Sequence, residues 1–387
     1  MFFSLVGTWV QSTAQSWLVF ELTRSAFLLG VVGFIGTFPM ALFSLPAGVF
    51  VDRKIKRNLL IGTQASLMVL AFLLAILVRG GSVRVWHIMI LAFMNGLVFS
   101  VDAPVRQAMV VELVGKQHLF NAITLNSAAF NSARLIGPAI AGVLIGVIGM
   151  AGCFYINAAS FIPLLLALFL IRPRPVPANE KFKSVKQDIV DALVLLRQNT
   201  FLMALLGLVA VFSMFGAAYV VLMTIFAQDI LHTGPRGFAL LMSCNGAGAL
   251  IGVLNLARLK AAAPQERMLK FSIILFFVAM MMFAVSRSFI FSCVLLSCVG
   301  FGASSGVSII NTLLQLNIPD AYRGRIMGVY IMMFTGLMPL GNLGAGVLTH
   351  FWSASRVVFF GALTGLLLCI TIAVTCLTPK PRGVCEG

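Results

Sequence analysis

Charge is scarce in this chain. Of its 387 residues only 10% are charged, against about 25% in ordinary soluble domains. Acidic residues are the scarcest class, with 11 Asp plus Glu, and there are only 4 His. The seven Cys stand singly in mostly apolar segments. No pair has metal-ligand spacing backed by His, which argues against a disulfide scaffold and a zinc site. No HExxH, nucleophile–base constellation or glycine-rich nucleotide loop occurs, so metalloprotease, hydrolase and nucleotide-driven readings lose their residues. What remains is 60% hydrophobic, with a mean hydropathy of +1.05. In water such a chain would expose apolar patches far beyond the few hundred Å² that soluble monomers carry. It belongs in a lipid bilayer.

A membrane-crossing helix needs about 20 mainly apolar residues. Stretches of this kind fall at 1–22, 26–51, 58–78, 85–108, 121–147 and 150–171, then at 200–230, 237–257, 269–286, 289–318, 326–348 and 356–377. The pattern predicts twelve spans. The first has no basic n-region and no small-residue cleavage site, and reads as a span rather than a signal peptide. It is shorter than its counterpart 200–230; either that helix is short or a few natural N-terminal residues are missing.

The net charge of +16 is distributed by loop. Twenty of the 27 Lys and Arg fall on one side, in the Arg53–Arg57 cluster, Arg106, Lys116, the 172–197 stretch, Arg258–Lys270, Arg323, Arg325, Lys380 and Arg382. Six fall on the other (Arg24, Arg79, Arg84, Arg236, Arg287, Arg356), and Arg134 sits inside a span. The positive-inside rule then places both termini and the central loop in the cytoplasm of a bacterial-type inner membrane. It also accounts for the excess charge without a nucleic-acid partner.

The chain repeats itself. Gly48-Val49-Phe50 matches Gly252-Val253-Leu254, Gly137 matches Gly341, and Ala141-Gly142-Val143-Leu144 matches Ala345-Gly346-Val347-Leu348, each at an offset of 204. Two duplicated halves, 1–171 and 200–379, joined by a 172–199 linker and followed by a 380–387 tail, are the simplest account. Parallel halves related by an axis along the membrane normal, with a solute site between them, are the build of alternating-access transporters. In the linker, Phe182, Val185, Ile189, Leu193 and Leu196 recur at helical spacing, which predicts an amphipathic surface helix, either a connector or a regulatory element.

Between spans two and three, Gly48-Val49-Phe50-Val51-Asp52-Arg53-Lys54-Ile55-Lys56-Arg57 resembles the signature loop of the major facilitator superfamily. The resemblance implies a latch that closes the cytoplasmic side by gripping helix eleven near Arg323-Gly324-Arg325. Physically, Gly48 permits close helix approach and Asp52 can meet a helix N-terminus, while Arg53, Lys56 and Arg57 anchor the loop. The second-half copy has Leu256 in place of Asp52 and is degenerate. In the fifth span, Ala133-Arg134-Leu135-Ile136-Gly137-Pro138-Ala139-Ile140-Ala141-Gly142 resembles the G-x-x-x-G-P-x-x-[GA]-G motif of the superfamily's exporters, with Ala133 replacing the first glycine. The block from Asp102 to Pro138, with Trp17–Thr23 and Pro319–Arg325, is similar to the family of enterobactin exporters and macrolide efflux proteins across nearly the whole chain. The fold expected is therefore all-α and integral to the membrane: twelve transmembrane helices in two pseudo-symmetric six-helix bundles.

Ionisable residues inside spans are functional candidates by default. Arg134 lies about 20 Å along its helix from Asn121, near mid-membrane. It needs a partner or a watery cavity, and Asp102 is the nearest acidic candidate. Asp102 also stands four residues before Arg106, a spacing that allows a local pair belonging to the cytoplasmic gate. The sequence leaves both pairings open. Glu21 and Asp229 occupy matching outer ends of spans one and seven and join Asp102 as candidate coupling carboxylates; none falls securely at mid-membrane. Gln11, Gln15, Asn126, Asn131, Asn245, Asn311 and Gln315 either line a cavity or hold helices together, since amides in lipid must find partners.

These features predict a monomeric secondary transporter, without metal or cofactor, exporting a small organic compound such as a drug or siderophore. Protons are the coupling ion the resemblance implies. Uptake by symport, and a membrane interaction or secretion partner without transport, are the alternatives.

Overall fold

The computed structural model describes all residues except 53–54, 172–195, 197–198, 259–264, 319–322 and 377–387; for some helical residues, among them Asp52, Arg323 and Arg325, it describes the backbone alone. The predicted linker helix and the 380–387 tail lie outside the described residues.

Every described element is helical, as a bilayer demands of a chain that must satisfy its own backbone groups. Eleven α-helices follow in order: α1 Phe2–Thr23, α2 Ala26–Asp52, α3 Lys56–Arg79, α4 Val85–Ser160, α5 Ile162–Leu170, α6 Thr200–Ile225, α7 Gly234–Arg258, α8 Gln265–Val285, α9 Phe289–Asn317, α10 Arg323–Leu348 and α11 Ala354–Cys376. A π turn, Phe226–Ile230, extends α6. Asn199 caps α6 by accepting from the backbone of Phe201 and Leu202 at 3.2 Å. Arg24, at φ 48°, ends α1 with its N–H on the Phe20 carbonyl at 2.8 Å.

Among the described residues, ten helical stretches are long and apolar enough to cross a membrane. Helix α1 is not among them. Its polar residues lower its hydropathy, and Ser4, Gln11 and Thr13 are buried against other helices rather than set in lipid.

The fourth and fifth expected spans stand as separate apolar crossings, Val85–Val110 and Ala128–Leu170, the second running on into the sixth. Residues 85–108, 121–147 and most of 150–171 form one unbroken 76-residue helical run, α4, followed by the nine residues of α5. Helical backbone continues through the connection, Met109–Phe120, yet Ala92 and Ala141 share one apolar cluster, so the chain reverses between them. Gly149 takes φ +71°, a conformation that glycine adopts without cost, and the chain reverses there. On its near side Gly146 lies against the Arg236 guanidinium at the start of α7, 2.8 Å from a Cβ placed on it. On its far side the carbonyls of Leu168 and Phe169 meet Arg57 at the start of α3.

Helices α1 to α5 pack mainly among themselves, as do α6 to α11, and the two sets meet chiefly where α2 lies on α10 and α4 on α7. Small residues make these meetings close. A Cβ on Gly30 would lie 2.7 Å from the Asn342 carbonyl and 2.9 Å from Gly346 Cα. One on Gly142 would lie 2.6 Å from Ala239 Cβ, and one on Gly246 would lie 2.6 Å from both the Arg134 carbonyl and Leu135 Cα. Without a hydrophobic drive between helices in lipid, backbone approach of this kind supplies the contact energy.

Candidate transport site and gate

At the membrane edge where α2 ends and α3 begins, the carboxylate of Asp102 is 1% exposed. Its Oδ1 accepts from Thr63 Oγ1 at 2.7 Å and Gln64 Nε2 at 2.6 Å, both on α3. Its Oδ2 accepts from Arg106 one turn along α4, with Nη2 at 2.8 Å and Nε at 3.3 Å. Of the two pairings open to Asp102, the structure makes the local one with Arg106. A buried carboxylate carrying a cation and two further donors is a stable arrangement, whereas either charge alone would not be. Nearby, Arg57 donates from Nε to the Leu168 carbonyl at 2.7 Å and from Nη2 to the Phe169 carbonyl at 3.0 Å. It thereby satisfies two orphan acceptors at the negative end of α5. Lys56 opens α3 beside it.

Gly48 and Asp52 lie in the last two turns of α2, and Arg323 and Arg325 open α10. The side chains of Asp52, Arg323 and Arg325 are outside what is described, as is all of Arg53, so the expected grip on the α10 end is not among the described contacts.

A second polar centre joins the two helix sets deep in the bundle. Arg134 on α4 donates from Nη2 to Asn245 Oδ1 on α7 at 2.8 Å. The amide nitrogen of Asn245 donates to the Tyr219 hydroxyl on α6 at 3.0 Å and to the Leu296 carbonyl on α9 at 3.3 Å. The Arg134 guanidinium also sits 6.0 Å from the centre of the Trp9 ring on α1, within cation–π range. Among the described residues no carboxylate is in ion-pair contact with it, so its charge is held by an amide and an aromatic face.

The exporter-like motif explains why this centre sits here. A proline withholds the N–H that would reach four residues back, so Pro138 frees the carbonyl of Arg134. That carbonyl is the atom against which Gly246 packs. Gly137 lies against Trp9 on the other flank, and Gly142 meets α7 two turns further on. The motif thus shapes one helix to touch α1 and α7 at once.

The remaining amides separate. Gln11 accepts from Asn157 Nδ2 at 2.6 Å and both are buried, which makes them ties between α1 and α4. Asn311 accepts from the exposed Gln315 on its own helix at 3.0 Å. Gln15, Asn126 and Asn131 are half-buried. Tyr219 and Trp9 are the two functional candidates that residue-type reasoning missed. A hydroxyl inside an apolar span needs a partner, and that signal could have singled out Tyr219.

At the opposite edge from Asp102, a cavity of about 330 Å³ opens between the two helix sets, lined by Phe20, Arg24, Asp229, His350 and Trp352 among others. The ring of Phe27 lies 5.3 Å from that of His350, and Trp17 lies 5.9 Å from Phe238. Asp229 is exposed in this cavity and Glu21 is exposed beside it on α1. The one deeply buried candidate carboxylate is therefore Asp102, at the other edge.

The chain is 26% identical over 376 residues to the staphyloferrin A transporter of Staphylococcus aureus, covering 96% of this chain and 92% of that one. It is 26% identical over 352 residues to the multidrug efflux pump Tap of Mycolicibacterium fortuitum, covering 88% and 85%. Its backbone superposes on the crystal structure of the nucleoside transporter NupG with a TM-score of 0.73 at 15% identity, covering 98% and 97% of the two chains, which is a likeness of fold. The model of the transmembrane secretion effector family matches residues 1–383, and the chain belongs to that family of major facilitator transporters, which are multi-pass membrane proteins and not enzymes.

Proposed function

We propose that this protein is a secondary active exporter, moving a small organic compound out across the cytoplasmic membrane by alternating access. The observation that carries the reading is the Arg134–Asn245–Tyr219 bridge, a cation with no carboxylate partner among the described residues, set between two helix sets that meet closely at Gly30 with Gly346 and Gly142 with Ala239. In this reading the twelve crossings form two six-helix halves, 1–171 and 200–379, joined by 172–199, with both termini and the 380–387 tail cytoplasmic. The described conformation is then shut toward the outside. Reorientation separates α2 from α10 and α4 from α7 at the Gly30 and Gly142 contacts. It brings the Asp52 loop against the α10 end near Arg323 and Arg325, with Asp102 and Arg106 bracing that loop.

Arg134 is placed to meet a polar or anionic group of the solute in exchange for its bond to Asn245. The relatives named for a siderophore and for multidrug efflux support export of organic solutes, and a proton gradient is the proposed energy source. The test is an accumulation panel of drugs, siderophores and dyes in an efflux-deficient host, with and without a protonophore. Inside-out vesicles should accumulate a carried compound when energised. Uptake into cells, or equal accumulation with and without the protein, would refute export.

A further inference from the structure

Gly252 and Leu256 stand 204 residues after Gly48 and Asp52, so their surroundings occupy the second-half position of the gate loop. They border a cavity of about 240 Å³ between α7, α8 and α9, at the same edge of the membrane as Arg57. It is smaller than the roughly 300–1,000 Å³ of sites that enclose a whole drug-sized ligand. Among its lining residues Asn255 and Arg267 are exposed, and Ser272 and Ser305 are buried. Ser305 is 4% exposed and its hydroxyl has no hydrogen-bond partner. Gly252 packs closely over that hydroxyl, and a Cβ there would come within 2.7 Å of it.

The chemistry of the lining is that of an anion site. Arg267 is the third residue of α8, where the orphan N–H groups and the positive end of the helix both favour negative charge. A guanidinium matches phosphate geometry, and a buried hydroxyl with a free proton can donate to a phosphate oxygen. Glu266 stands in the same turn but does not line the cavity. Beside the opening, Phe271, Ile274, Leu254 and Ile251 are 59%, 50%, 46% and 58% exposed, as residues facing hydrocarbon are. A soluble anion has no use for that apolar flank, whereas acyl chains do. Basic pockets between transmembrane helices on this side of a membrane hold anionic headgroups.

We propose that this cavity binds the phosphate-bearing headgroup of an anionic phospholipid from the leaflet at the basic edge, with its acyl chains along the exposed flank of α7 and α8. The second half thus replaces the degenerate protein latch by a lipid anchor. The proposal needs only that the chain is embedded in a bilayer.

The test is native mass spectrometry of the purified full-length protein, delipidated and then offered phosphatidylglycerol, phosphatidylcholine or inorganic phosphate. Phosphatidylglycerol should be retained in preference to phosphatidylcholine. Arg267→Gln should reduce retention about tenfold, the scale of a charge-assisted hydrogen bond to phosphate, and Ser305→Ala should reduce it by a smaller factor. Lys270→Gln, an exposed neighbour outside the cavity, should retain lipid as the parent does. Equal retention by Arg267→Gln and the parent, or equal loss in Lys270→Gln, would overturn the site. Binding or displacement by inorganic phosphate alone would assign it to a soluble anion and overturn the lipid. Retention is read without transport, so its failure and the failure of the exporter reading are told apart.

Discussion

Replacing Gly246 with Ala tests the contact between the two helix sets where it is tightest. A methyl group there would sit 2.6 Å from the Arg134 carbonyl and from Leu135 Cα, about 0.8 Å inside ordinary van der Waals contact. Both obstacles are backbone atoms, so neither can swing away as a flexible side chain would. Relief requires α7 to draw back from α4. Overpacking of this kind costs about 1–3 kcal/mol. Charged to the outside-closed conformation alone, it shifts the balance between conformations by roughly 5–150-fold. Spin labels at Ser25 and Ser353, which line the outer cavity from the two sets, should report a single short distance in the parent and a second, longer population in Gly246→Ala. Gly62→Ala is the control. Nothing lies within 4 Å of a Cβ at that position, so the distribution should match the parent's. An unchanged distribution in Gly246→Ala, with the protein folded, would refute the reasoning.

Three further substitutions bear on separate parts of the account. Asp102→Asn should lower the melting temperature in detergent through a loss of about 3 kcal/mol, because it leaves the Arg106 cation without its counter-charge; adding Arg106→Gln should recover part of the loss, and additive losses would refute the pairing. Arg134→Leu should abolish efflux while Asn245→Leu retains a fraction of it, since only the first removes the charge offered to the solute; equal activities in the transport panel would reduce the bridge to a structural tie. Asp52→Asn should cripple efflux with membrane insertion intact, and normal efflux would count against the latch.

Much of this was legible in the residues because lipid leaves the chain few choices. Apolar runs long enough to cross could only be helices, and the exporter-like motif marked Gly137 and Gly142, which the structure sets in close helix contacts. What escaped the reading depended on geometry without a local signature. The turn at Gly149 is one glycine among 35, with nothing in its neighbours to single it out. Asp102 could be matched with Arg106 by spacing, but Thr63 and Gln64, which are 39 and 38 positions away, become its partners only through packing of α3 on α4. Arg134 needs a partner or a watery cavity, and the sequence leaves Asp102 open as that partner. Arg134 meets Asn245 and Trp9 instead, because Pro138 and Gly137 bring α4 against α7 and α1.

The most direct test of alternating access locks the contact at the outer edge. With the seven native Cys replaced, Ser25→Cys and Ser353→Cys, which line the outer cavity from the two helix sets, would be bridged by a bifunctional methanethiosulfonate. The account predicts that the bridge stops efflux and that a reductant restores it. Full efflux by the demonstrably cross-linked protein would contradict it.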